Sequence, residues 1–254
     1  MKVLVLSDVH ANIWALRAVM EEEKEYHLML FAGDLVDYGI APAETIRWFQ
    51  SAPDKVLVRG NHDAHAIRVR DTEDWNHMPS HRYKWIHYNL QRMSPEQVTY
   101  LEQMPEYNTA QADGWAYLIT HSYGGSYQTI ESSAQFEEFW RAHTPKAMQD
   151  APRRRIVFGH THRQGLHLLE DGMEWLNPGS LSYRRPDDPD KTAHYAVIQD
   201  GQVRLKRIPY DRTPQRDEAL RILREEGMME TELQDFMFFF GSSPSSRSPL
   251  PKNI

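Results

Sequence analysis

Val3-Leu4-Val5-Leu6-Ser7-Asp8-Val9-His10 runs four aliphatic residues straight into a hydroxyl, a carboxylate and an imidazole. A short apolar run bounded by polar residues is the pattern of a strand buried on both faces. Strands of that kind lie inside parallel sheets, and here the reactive side chains follow at the carboxyl end. Reading outward, Ile13, Leu16, Val19 and Met20 recur at helical spacing before an acidic run, which predicts a helix over 13–25. Residues 28–31 give a second strand ending at Gly33-Asp34, and 41–49 a helix with Pro42 in its first turn. Residues 55–58 give a third strand ending at Arg59-Gly60-Asn61-His62. Strand, helix and strand alternate, so the chain is expected to be α/β with parallel pairing through right-handed crossovers.

Further along, residues 64–89 are rich in aromatics, His and Arg without a clean period, and a mainly helical, cap-like segment is expected over 64–105. Within it, Ser94-Pro95-Glu96-Gln97 has the form of a capping box with Pro at the first helical position. Residues 107–112 and 115–120 flank Asp113-Gly114 as a hairpin whose second strand delivers His121. A helix over 132–143 and a strand over 155–158 lead to Gly159-His160-Thr161-His162. Hairpin turns at Asp171-Gly172 and Asp200-Gly201 give the second half an antiparallel flavour. The expected organisation is one domain over 1–210, a helical extension over 211–240, and a flexible Ser- and Pro-rich tail over 241–254. Phe236-Met237-Phe238-Phe239-Phe240 should not stay solvated, and is expected to dock on the same chain or on a symmetry mate in a homo-oligomer.

Composition narrows the function. The 254 residues carry a formal net charge of -7, which gives no electrostatic reason to bind a nucleic-acid backbone. There is no cysteine, so any metal must sit on oxygen and nitrogen donors. No segment approaches the roughly 18 apolar residues of a membrane span. The first residues lack the apolar core and cleavage site of a secretory signal. The expectation is a soluble, cytoplasmic protein with no membrane partner, acting on a small molecule.

Asp8-x-His10, Gly33-Asp34, Gly60-Asn61-His62-Asp63, His121 and Gly159-His160-Thr161-His162 each fall just after a predicted strand. Ligands in such sheets collect beyond the carboxyl ends of strands, so these segments can converge on one site. Side chains at x and x+2 on an extended exit point the same way, which is the spacing of Asp8/His10 and of His160/His162. Carboxylate, imidazole and amide donors suit Mn above all, with Fe, Zn, Co or Ni as alternatives. Their number suggests two divalent cations. Asp34 would bridge them, with Asp8, His10 and His162 on one and Asn61, His121 and His160 on the other. Paired cations about 3.5–4 Å apart clamp the attacking and leaving oxygens of an in-line displacement, and a hydroxide bound between them would be the nucleophile.

Taken together, these segments, with Gly33-Asp34-Leu35-Val36-Asp37 read in full, resemble the calcineurin-like metallophosphoesterase superfamily over roughly residues 1–210. The resemblance implies a four-layer α-β-β-α sandwich of two mixed sheets packed face to face with helices outside. It implies the same seven metal ligands: Asp8, His10, Asp34, Asn61, His121, His160 and His162. It also implies that His62 is the general acid for the leaving oxygen and that Asp37 orients its imidazole. A carboxylate behind an imidazole supports its protonated form near cations.

Two departures bear on the substrate. The protein Ser/Thr phosphatase branch has Arg where this chain has Tyr38, and Glu where it has Asp63. The Asp8-Val9-His10-Ala11-Asn12 opening and Asn177-Pro178-Gly179-Ser180 look instead like the small bacterial phosphodiesterase branch. The expected activity is therefore phosphodiester hydrolysis. A diadenosine-polyphosphate hydrolase, a protein phosphatase and a non-catalytic metal-binding scaffold stand as alternatives. Asn177 to Ser180 reads either as a plain turn or as part of the site entrance, and Arg184 and Arg185 as a solvated basic pair or as a phosphate contact. His77, His81 and His87 are assigned no role.

Overall fold

The computed structural model describes residues 1–124, 127–182, 191–226 and 230–240. Its elements run β1 (Lys2–Leu6), α1 (Ile13–Glu22), β2 (Leu28–Phe31), α2 (Pro42–Ser51), β3 (Lys55–Leu57) and α3 (Asn61–Arg70). Two short 3-10 turns at Trp75–His77 and Ser80–Arg82 precede α4 (Trp85–Arg92) and α5 (Pro95–Gln103). Then come β4 (Tyr107–Ala112), β5 (Trp115–Thr120), α6 (Ser133–His143), α7 (Lys146–Gln149) and β6 (Arg154–Val157). The chain continues through β7 (Gly165–Glu170), β8 (Met173–Asn177), β9 (Ala193–Gln199), β10 (Gln202–Ile208), α8 (Thr213–Glu226) and α9 (Glu230–Phe239).

The first sheet has the order β10-β9-β1-β2-β3 and the second β4-β5-β6-β8-β7. Parallel pairing of β1, β2 and β3 follows from their crossover helices. The second half is less antiparallel than its hairpins suggest: β5, β6 and β8 are parallel, and β4 and β7 are antiparallel edges. The hairpin turns at Asp113-Gly114 and Asp171-Gly172 are real, but each adds an edge strand to a parallel centre. The hairpin β9–β10 joins the first sheet, with β9 antiparallel to β1.

Alternation of side chains sorts the core into layers. Val3, Val5, Leu30, Ala32 and Val58 face Tyr117, Ile119, Val157 and Leu176 between the sheets. The other faces of β1 and β2, through Leu4, Leu6, Met29 and Phe31, pack under α1, α2, α4 and α5. Leu118, Ile156, Phe158 and Trp175 pack under Phe136 and Trp140 of α6. The result is the four-layer sandwich of two mixed sheets with helices outside.

Residues 64–105 hold most of α3, the two 3-10 turns, α4 and α5. Helix α5 starts at the reciprocal Ser94/Gln97 capping box. Beyond β10, α8 and α9 dock on the same chain: Phe236, Phe238 and Phe240 are buried with Ile40, Trp85, Tyr88 and Ile222. The Trp85 indole N–H donates to the Glu232 carbonyl at 2.9 Å. The tail over 241–254 lies outside the described residues, as do Arg184 and Arg185.

Phe236 is 1% exposed and its ring lies 5.1 Å from that of Trp85. Phe236→Ala is expected to cost about 3 kcal/mol, read as a lower denaturant midpoint together with a change in tryptophan fluorescence. An unchanged midpoint would show that α9 contributes no packing energy.

Candidate metal centre

Every candidate ligand leaves its strand at the same edge of the sandwich. Asp8 and His10 follow β1, Asp34 and Asp37 follow β2, and Asn61 and His62 open α3 after β3. His121 follows β5, and His160 and His162 follow β6. The carboxyl ends of parallel strands from both sheets therefore meet over one site.

The exits are not extended. Asp8, His10, Asp34, Asp37, His160 and His162 have φ of 55°, 46°, 62°, 73°, 58° and 57°. These left-handed conformations turn the chain sharply, so x and x+2 converge through a tight turn rather than through strand alternation. Non-glycine residues held there cost of order 1–3 kcal/mol each, and they persist only where surrounding contacts over-determine them. Two glycines permit the approach. A Cβ on Gly60 would lie 2.0 Å from Asp34 Oδ1, and one on Gly159 would lie 1.8 Å from Ser7 Oγ.

The donor atoms face one another. Asp34 Oδ2 lies 3.1 Å from His121 Nε2 and 3.9 Å from His10 Nε2, so it stands between two groups. On one side, Asp8 Oδ1 is 3.0 Å from His162 Nε2 and 4.0 Å from His10 Nε2. On the other, Asn61 Oδ1 is 2.8 Å from His121 Nε2 and 2.9 Å from His160 Nδ1. The remaining nitrogens of two rings are used: His121 Nδ1 donates to the Ala32 carbonyl at 2.8 Å, and His10 Nδ1 to the Val36 carbonyl at 3.3 Å. Those bonds fix the tautomers so that each Nε2 presents a lone pair to the cluster.

A lone pair on His121 Nε2 facing two oxygens needs a positive charge between them. Burial opposes a proton on His121, but the charge and hydrogen bond of Asp34 outweigh it and raise the imidazole to about 10. Burial dominates at His10, pushing it down to about 4 and leaving the ring neutral. Burial also disfavours charge on Asp34, yet the facing imidazoles His121 and His62 hold its pKa well below the usual carboxylate range. Two buried carboxylates, four imidazoles and one amide oxygen aimed at a common space fit divalent cations on oxygen and nitrogen donors.

His62 and Asp37 stand beside this cluster. The His62 Nδ1–H donates to Asp37 Oδ2 at 2.8 Å, and its ring lies 5.2 Å from that of His10. Burial opposes protonation of His62, but Asp34 and the hydrogen bond to Asp37 raise it to about 9.

Other residues hold the ligand loops, and most were silent in the sequence. Asp63, fully buried, accepts backbone N–H groups from Leu35 (2.8 Å), Gly60 (2.9 Å), Asp34 and Val36 (both 3.1 Å). Burial and the charge of Asp34 push it up to about 6 against those donors. Its place at the third position of α3 is capping-box chemistry and was the one available signal. Asn89 on α4 accepts from the Asp37 N–H at 3.1 Å and donates to the Gly39 carbonyl at 2.7 Å. His65 Nδ1 lies 3.6 Å from Asp37 Oδ2.

The stretch Asn177 to Ser180 is neither a bare turn nor an entrance wall. Asn177 Nδ2 donates to the Gly159 carbonyl at 2.7 Å, and the Ser180 hydroxyl donates to the Asp8 carbonyl at 3.0 Å. It braces two ligand loops from behind. Asn12, by contrast, caps α1 through the Ala15 N–H.

Residues 1–200 match the model of the calcineurin-like phosphoesterase superfamily domain. The chain belongs to that superfamily, whose members bind a dinuclear metal. An uncharacterised protein of Methanocaldococcus jannaschii is 24% identical over 229 residues, 82% of this chain and 88% of that protein. A metallophosphoesterase from Sphaerobacter thermophilus shares the fold with a TM-score of 0.67 at 24% identity, covering 95% of this chain and 99% of that one. A hypothetical protein from Pyrococcus horikoshii gives 0.70 at 16% identity, covering 95% and 98%. Among the described residues, no helix is long and apolar enough to cross a membrane.

Asp34→Ala is expected to strip both cations from the chain, measured by elemental analysis after dialysis; full retention of two would contradict a bridging Asp34. Asp63→Ala leaves four buried N–H groups without their acceptor and should cost at least about 3 kcal/mol. Urea unfolding checks this, and a loss below about 1 kcal/mol would show that the loop does not depend on Asp63.

Proposed function

We propose that this protein hydrolyses phosphodiesters, with His62 as the acid that protonates the leaving oxygen. The observation that carries the reading is the His62–Asp37 pair, 2.8 Å apart, at the rim of the carboxylate–imidazole cluster. Asp8, His10 and His162 would hold one cation, Asn61, His121 and His160 the other, and Asp34 both, with manganese the expected metal. Bound cations of this kind polarise a phosphoryl oxygen and lower the pKa of a water toward neutrality.

The chain's own groups do the rest. Asp37 accepts the Nδ1–H of His62, which fixes the ring so that Nε2 carries the proton to be given up. Among the described residues Nε2 has no protein hydrogen bond, so it is open to a leaving oxygen. The proton moves from Nε2 to that oxygen as the P–O bond breaks, and Asp37 stabilises the doubly protonated ring beforehand. A positioned acid of this kind typically contributes about 10²–10⁴-fold. Asp37 is itself held by the Asn89 side chain, so the acid is set by a helix rather than by a free loop.

The test compares leaving groups. Wild-type and His62→Ala chains are assayed with bis-p-nitrophenyl phosphate and with a diester of an unactivated alcohol, with Mn²⁺, Ni²⁺, Co²⁺, Zn²⁺ or Mg²⁺ supplied singly. The variant is expected to lose about 10²–10⁴-fold on the alkyl ester and far less on the aryl ester, whose leaving oxygen needs little protonation. Equal losses on both would remove His62 from the acid role. Absence of turnover with every metal, despite bound cations, would leave the non-catalytic scaffold.

A further inference from the structure

His62, His65 and Val69 share one face of α3, three and four residues apart. That face continues from the metal cluster into a separate cavity of about 390 Å³. The cavity is lined by His65, Val69, Met78, His81, Arg82, Lys84, Ile86 and His87. Three histidines, an arginine and a lysine are thus among the residues bordering one space in a chain of net charge -7, and among the described residues no Asp or Glu borders it.

Among the described residues, neither the Arg82 nor the Lys84 side chain has a carboxylate within ion-pair distance. Glu232 lies near enough for the charge of Lys84 to oppose the rise that burial imposes on its pKa, and its Oε2 accepts the Trp85 N–H at 3.3 Å. Exposed lysines and arginines commonly sit in water, and that alone would mean nothing. Here they stand over the same helix face that carries the proposed acid, with His65 Nδ1 3.6 Å from the carboxylate that orients it.

We propose that this cavity takes an anionic group, a phosphate or short phosphate chain, carried by the leaving portion of the substrate. The inference rests on the proposed reaction, because the leaving oxygen must lie at His62 and the leaving group must extend away from the cations. From His62 to Val69 the helix rises about 10 Å, enough to accommodate a charged substituent beyond the scissile bond. Arg82 supplies a planar fork suited to two phosphate oxygens and Lys84 a point charge. Val69, Met78 and Ile86 contribute apolar side chains to one wall. The favoured substrates are accordingly esters or anhydrides whose departing half bears its own phosphate, rather than neutral alcohols.

The experiment titrates the full-length chain with adenosine diphosphate, using adenosine as the uncharged control, by calorimetry at two ionic strengths. Wild type is compared with Arg82→Gln/Lys84→Gln and with Arg17→Gln, an exposed cation outside the cavity; thermal melts establish that each variant is folded. Diphosphate binding is expected to weaken at least about tenfold in the double variant, to fall with salt, and to be unchanged in Arg17→Gln. Equal affinity in wild type and double variant, or no binding to wild type, overturns the cavity assignment. Turnover of bis-p-nitrophenyl phosphate measured on the same samples separates the two ideas. Charge-dependent binding without turnover sinks the reaction and retains the anion site; turnover with binding indifferent to both charges sinks the anion site alone.

Discussion

Asp34 puts a carboxylate that is 1% exposed where the edges of two sheets meet. Removing such an ion from water costs several kcal/mol unless partners compensate. One oxygen accepts the His62 N–H at 2.8 Å, at the start of α3, where the helix dipole favours negative charge. The other faces His121 and His10. Asp63 then fastens the turn that carries Asp34, and Gly60 must lack a side chain because Asp34 fills that space. The local architecture of β2, β3 and α3 is therefore arranged around holding one negative charge in a fixed place.

The same constraint accounts for the backbone strain. The candidate ligands leave parallel strands and turn at once toward a common point, which puts Asp8, Asp34, His160 and His162 into left-handed turns. Several such residues together cost several kcal/mol, more than a surface loop would tolerate. What holds them is the core between the sheets, where Val5, Leu30, Ile119 and Val157 anchor the strands just below the candidate ligands. Braces from the end of β8 and the turn after it add to this, through Asn177 on Gly159 and Ser180 on Asp8. A rigid sandwich beneath and hydrogen bonds behind permit an unfavourable conformation in front.

Much of this was legible in the sequence because strand, helix and ligand spacing are local. The runs 28–31, 107–112 and 115–120 match β2, β4 and β5 to the residue, since an apolar block fixes β2 and the Asp113-Gly114 turn fixes the ends of β4 and β5. The parallel β5–β6–β8 centre was not legible, because hairpin turns report which neighbours touch and not which strands lie between them. Helix α7, one turn long, has too few residues to show a period. Asn89 was silent for a different reason, since it acts across the fold on the backbone of Gly39, 50 positions away; Ser180 was singled out with Asn177, but not its hold on the Asp8 carbonyl, 172 positions away. Long-range side-chain to backbone bonds leave no pattern in the neighbouring sequence.

The carboxy-terminal helices are connected to the site through contacts of that long-range kind. Phe236 packs on Trp85, and the Trp85 carbonyl accepts Asn89 Nδ2 at 3.0 Å. Asn89 Oδ1 accepts the Asp37 N–H, and Asp37 accepts His62. Each link is a short, directional contact between groups that are buried or nearly so, and interiors packed in this way resist displacement. Asp37 has φ of 73° and would relax if its partner on α4 withdrew. A helix of eight residues gains little stability by itself, so α4 depends on what covers it. Its outer face is covered by α8 and α9. The Phe-rich segment thus buries its own apolar surface and also steadies the helix on which the orientation of His62 rests.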